Sequence, residues 1–230
     1  MEYVLTIAIL LIAYVSVILL MGRIKNTRIA NLVFFAGVFG CYVIYTLQVL
    51  FLSGYNSIYF HGVIATANIS PFMFSIMPII YFSRGKLRKH LFILISLLSV
   101  GMLLSPTLNA LTYAVKGYPF TFYAAWDYIA HLLLSLWGIY IVRSRQVKIN
   151  VRDAILSALI IIGVAIFMLL MNLIHGTSFF GLALDGNHNI YHNVIVDNSY
   201  ISALIYFTGL IAVLIAGFFY SKLFYREKHN

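Results

Sequence analysis

Long apolar runs joined by short basic connectors constrain this chain more than any motif does. The runs cover residues 3–21, 29–51, 60–82, 91–104, 120–142, 154–174 and 200–224. A helix rising 1.5 Å per residue needs about 20 residues to cross ~30 Å of hydrocarbon. Six runs meet that length. The fourth meets it only by continuing past Pro106 towards Ala114, with a kink at the proline. Lipid cannot satisfy free backbone N–H and C=O groups, so the runs are expected to be helices rather than strands. Only 9% of the residues are charged against 63% hydrophobic. A soluble domain uses about a quarter charged residues, so there is too little charge here to cover a water-soluble globule.

The connectors set an expected orientation. Arg23, Lys25 and Arg28 follow the first run; Arg84, Lys86, Arg88 and Lys89 follow the third; Arg143, Arg145, Lys148 and Arg152 follow the fifth. Lys222, Arg226 and Lys228 close the chain, and only Lys116 falls on the other side. Basic loops stay in the cytoplasm. The expected fold is therefore an all-α, polytopic transmembrane bundle of seven spans. Its N-terminus lies outside and its C-terminus in the cytoplasm, residues 1–230 form one domain, and the location is the cell membrane. The net charge of +9 is then a topology signal, and nucleic acid is not an expected partner. The first run starts Met1-Glu2, has no basic leader and no small-residue cleavage site, and reads as a retained span.

Orientation assigns depth to the polar side chains. Ser70 falls ten residues, about 15 Å, below the outer end of the third span, and His131 of the fifth span falls at nearly the same level. Asp127 sits one turn above His131. Gln48, Asn109 and Asn172 fall in the outer parts of their spans, while the inner half reads mostly as Leu, Ile, Val and Phe. This places an expected polar pocket in the outer half, with Asn68, Asn109, Asn172 and Gln48 as lining candidates. Each amide could equally serve as an interhelical hydrogen-bonding group. Asp127 and His131 are four residues apart, so they share a helix face with Ser135 and Gly138. A carboxylate there can hold a histidine tautomer and support the cation formed when the ring accepts a proton. That equipment suits a general base or a proton relay. Pro71 removes a backbone donor and is expected to free the Ala67 carbonyl, kinking the third span beside Ser70.

Other groups carry less. Cys41 is the sole cysteine and reads as a packing residue. His188 and His192 are four apart but lie among Gly and Asn, which favours a turn-rich loop over a metal site. Phe179 to Leu182 could anchor at the interface. The Arg84–His90 cluster can attract anionic headgroups, or serve topology alone. No cofactor or metal is expected. A retinal Schiff base would need a lysine in the middle of the seventh span, and Lys222 comes too near its end.

Asn68-Ile69-Ser70, Ser105-Pro106, His131 and Asn172 with Gly176-Thr177, in that order, resemble the YwaF-like bacterial integral membrane proteins. Those are similar to a eukaryotic transmembrane acyltransferase and, more distantly, to the androgen-induced membrane hydrolases of fatty-acid esters. The resemblance spans most of the chain from the second run to the seventh. It implies a lipid-directed acyl-transfer or hydrolysis site, with membrane lipids as partners, a nucleophile at Ser70 and the family histidine at His131. The family pattern has His-x-Cys where this chain has Asn68 and Ser70, a departure at the nucleophile itself. Ser70, His131 and Asp127 are the catalytic candidates. Two other readings stand beside this one: a transporter or permease using Asp127 and His131 as substrate or proton site, and a non-catalytic accessory protein.

Overall fold

The computed structural model describes residues 2–21, 23–52, 69–115, 122–175 and 199–225. These residues are helical, with short connectors and no strands among them. The helices are α1 (Glu2–Met21), α2 (Thr27–Leu52), α3 (Ile69–Ser75), α4 (Met77–Phe82), α5 (Gly85–Val115), α6 (Phe122–Arg143), α7 (Val151–His175) and α8 (Ser199–Tyr225). Local chemistry accounts for two of the starts. The Asn26 carboxamide accepts from the backbone N–H groups of Arg28 and Ile29, both at 3.1 Å, and caps α2. Asn150 caps α7 in the same way, accepting from the Asp153 N–H at 2.8 Å.

α5 runs unbroken through Pro106 to Val115, as the length of the fourth apolar run requires. The third run is interrupted once among the described residues. The break lies at Ile76, between α3 and α4, and Pro78 explains it by withholding the N–H that would continue the ladder. Ala67, whose carbonyl Pro71 would free, lies outside the described residues.

α6 is the centre of the bundle. It packs on α5 and α2, and more lightly on α1 and α8. Trp137, Tyr140, Leu134 and Ile141 are almost fully buried along it. Small residues let α5 and α6 approach closely. A Cβ on Gly138 would stand 2.7 Å from Ser99 Cβ and 2.8 Å from the Ile95 carbonyl oxygen. Beside that contact the Ser135 hydroxyl donates to the Ser99 carbonyl at 2.6 Å. Its oxygen is then left to accept from the Tyr14 hydroxyl at 2.8 Å, which ties α1 to the same crossing. Such bonds average about 0.6 kcal/mol each between membrane helices, so packing carries most of the association.

The outer faces are the reverse of a soluble protein's. Ile155, Leu159, Phe167 and Leu170 on α7, and Phe219 and Leu223 on α8, are all exposed. Apolar surface this continuous is not left to water. Among the described residues, stretches of α2, α5, α6 and α7 are long and apolar enough to cross a membrane. The protein is a helical membrane protein.

One buried polar group ties several elements together at the end of the bundle that carries the basic connectors. Asn31, near the start of α2, is 2% exposed. Its side-chain oxygen accepts from Trp137 Nε1 at 2.9 Å, and its nitrogen donates to Gln146 Oε1 at 2.7 Å. The same end carries further ties. Arg143 Nη1 donates to the Ile18 carbonyl, and Lys222 Nζ to the Ile149 carbonyl at 3.1 Å. Lys89 Nζ stands 3.2 Å from Asp153 Oδ2, an ion pair held by charge without an aligned hydrogen bond. Asn31→Leu should lower stability by about 1–3 kcal/mol, because it strands the buried indole N–H and the Gln146 oxygen. The drop would be read as a fall in the thermal midpoint of the full chain in detergent, and an unchanged midpoint would show the network to be idle.

Candidate active site

Two helices bring the candidate residues together. Ser70 is the second residue of α3, and His131 lies midway along α6. Ser70 Oγ is 2.6 Å from His131 Nε2, so residues 61 positions apart in sequence share one hydrogen bond. Set at one level by their positions in sequence, the two side chains are in contact in the structure. Asp127 is one turn back along α6. Its backbone carbonyl oxygen is 2.7 Å from His131 Nδ1, and its carboxylate Oδ1 is 3.4 Å from the same nitrogen.

These partners assign the tautomer. A carbonyl oxygen can only accept, so the Nδ1 beside it carries the proton. In a neutral ring Nε2 is then the acceptor, and the Ser70 hydroxyl donates to it. A general base needs this arrangement, with its lone pair directed at the hydroxyl to be deprotonated. The carbonyl of Asp127 has two lone pairs, enough to serve both the helix and the ring.

Packing limits where the imidazole can turn. Phe74, four residues after Ser70 and hence on the same face of α3, meets the ring edge-on at 5.1 Å between centroids and an interplanar angle of 82°. Met102 of α5 lies beside the pair, its Sδ 4.0 Å from Ser70 Oγ. A turn further along α5, Thr107 bonds the Tyr128 hydroxyl at 3.0 Å and holds α5 against the part of α6 that carries Asp127. The His131 side chain is 8% exposed and that of Asp127 is 37% exposed, so the Asp127 carboxylate is the more open of the two.

The remaining candidates separate from this centre. Ser135 and Gly138, expected on the same stripe as His131, serve the α5 crossing instead. Gln48 is half-buried on α2, and its Oε1 has no hydrogen-bond partner among the described residues, so it does not reach Ser70 or His131. Asn68, the side chains of Asn109 and Asn172, and the loop with His188 and His192 lie outside the described residues, as do Phe179 to Leu182. Two contributors went unread in the sequence. Phe74 was recoverable from its four-residue spacing to Ser70, whereas Met102 is supplied by tertiary packing and carries no local signal.

The arrangement can move a proton from Ser70 to His131 and hold the resulting cation against the carbonyl and carboxylate of Asp127. No family model, curated protein or solved structure matches the chain.

Proposed function

We propose that this is a seven-span, multi-pass protein of the cell membrane, N-terminus outside, that performs lipid-directed acyl transfer or hydrolysis at Ser70. The 2.6 Å contact between Ser70 Oγ and His131 Nε2, with Nδ1 already occupied by Asp127, carries this reading. The chain's resemblance to the YwaF-like proteins supports the substrate class.

In this mechanism the Ser70 hydroxyl proton passes to His131 Nε2 as Oγ bonds to the ester carbonyl carbon. The tetrahedral adduct collapses by breaking the carbon–oxygen bond to the alcohol, which leaves with the proton from Nε2. Water or a second alcohol then gives its proton to His131 as it bonds to the acyl carbon, and the carbon–Oγ bond breaks with the proton returning from Nε2 to Ser70 Oγ. Asn68 and Asn172 are the candidate oxyanion donors.

Asp127 acts as a positioning residue. Its backbone carbonyl keeps the tautomer whatever the side chain, so Asp127→Asn should cost only about tenfold in turnover, the ~1.4 kcal/mol of one charge contact. The proposal is tested with the full chain in detergent, by covalent labelling with a fluorophosphonate and by release of fatty acid from a lipid ester. Both signals should require Ser70 and His131. Labelling that persists in Ser70→Ala would overturn the assignment. Proton-coupled flux in proteoliposomes, lost in Asp127→Asn and accompanied by no turnover, would favour the permease reading instead.

A further inference from the structure

A cavity lies at the basic end of the bundle, away from Ser70. It is an open groove of about 320 Å³ between the turn that opens α5 and the loop joining α6 to α7, and it is lined by Gly85, Arg88, Lys89, Phe92, Gln146 and Val147. Its chemistry is one-sided. Asp127 and Asp153 are the acidic side chains described, and Asp153 alone stands at this end, where Lys89 engages it. Arg88 is left with a cation–π contact, its guanidinium 4.8 Å from the centre of the Phe92 ring. Phe92 is itself buried and edge-on to Trp137 at 6.1 Å, so the platform under Arg88 belongs to the core.

The polar wall is organised before any ligand arrives. Gln146 Oε1 accepts from Asn31, which is held by Trp137, and Gln146 Nε2 donates to Ser144 Oγ at 2.8 Å. A carboxamide nitrogen has two hydrogens. The second has no acceptor among the described residues. Gly85 forms the rim, with a φ of 58° and no heavy atom within 4 Å of the position its Cβ would take. The backbone there is open to approach, at the positive end of the α5 dipole.

We propose that this cavity binds a phosphate group, held by the Arg88 guanidinium and the second N–H of Gln146. A planar guanidinium fixed on a ring and a pre-held amide donor suit a tetrahedral oxyanion better than a diffuse surface charge does. The phosphate can belong to an anionic lipid headgroup or be free in solution. Nothing in the acyl-transfer reading enters this proposal, and the two can fail separately.

The test uses the purified full chain in detergent with three probes: short-chain phosphatidylglycerol, short-chain phosphatidylcholine and inorganic phosphate. Bound lipid is counted by native mass spectrometry, and affinity is taken from the shift in thermal midpoint. Phosphatidylglycerol should bind in preference to phosphatidylcholine, and Arg88→Gln should weaken it about tenfold, the effect of one charge-assisted contact. Arg152→Gln, an exposed charge at the same end that does not line the cavity, should leave it unchanged. Inorganic phosphate should compete. If it binds alone as tightly as the lipid, the source is free phosphate; if it competes only in large excess, the source is the headgroup. Where Arg88→Gln lowers the midpoint of the ligand-free protein, competition on the unaltered chain decides. Equal weakening by Arg152→Gln, or failure of phosphate to compete, overturns the site.

Discussion

Ser70→Ala is expected to reduce lipid-ester turnover at least about a thousandfold and to abolish fluorophosphonate labelling, because no other hydroxyl among the described residues bonds His131 Nε2. His131→Ala should fall nearly as far. It leaves the hydroxyl without an acceptor for its proton, and serine is a weak nucleophile without one. The two losses should not add in the double variant, since the pair works as a unit. Stability separates the chemistry from the fold. Ser70 is half-buried and contributes one hydrogen bond, worth about 1 kcal/mol, so the thermal midpoint of Ser70→Ala should stay close to that of the parent chain. A large fall in midpoint together with lost turnover would make Ser70 a packing residue and remove the argument for catalysis.

Gly217→Ala is expected to produce the largest loss of stability from a single methyl group. Gly217 lies where α8 crosses α5, and its Cβ would stand 2.2 Å from the Leu97 carbonyl oxygen and 2.8 Å from Leu97 Cα. The obstacle is main chain inside a helix, which cannot rotate away as a side chain would. The helices must part, and the Gly101 contact with Val213 on the same crossing parts with them. Overpacking of this kind costs about 1–3 kcal/mol or more. Gly209→Ala on the same helix is the control, because nothing lies within 4 Å of its Cβ. It should leave the midpoint unchanged or slightly raised, since alanine is the better helix former. Equal effects from the two substitutions would show that backbone flexibility rather than close approach governs α8.

Much of this architecture is written in hydropathy. The apolar runs at 3–21, 29–51, 154–174 and 200–224 lie within α1, α2, α7 and α8, because lipid forces every backbone group into an internal hydrogen bond and leaves a long apolar segment one outcome. Depth counting sets Ser70 and His131 at one level, and in the structure their side chains are 2.6 Å apart. Matters decided sideways, between neighbours, were not legible. The α3–α4 break follows Pro78, whose sequence signal does not differ from that of Pro71 near the start of α3. Asn31 reads as an ordinary polar residue near a span end until Trp137 and Gln146 converge on it. The division of the α6 stripe, with His131 to α3 and Ser135 to α5, depends on which helix stands on each side.

The bond from His131 Nδ1 to the Asp127 carbonyl also bears on how the site tolerates genetic change. The atom that selects the tautomer belongs to the main chain, and every amino acid supplies it at position 127. Substitution there can alter charge, size or rate, yet the proton stays on the nitrogen facing away from Ser70. The site is therefore robust at its support and brittle at its centre. A library covering position 127 should yield graded activities, and one covering position 131 should yield almost none.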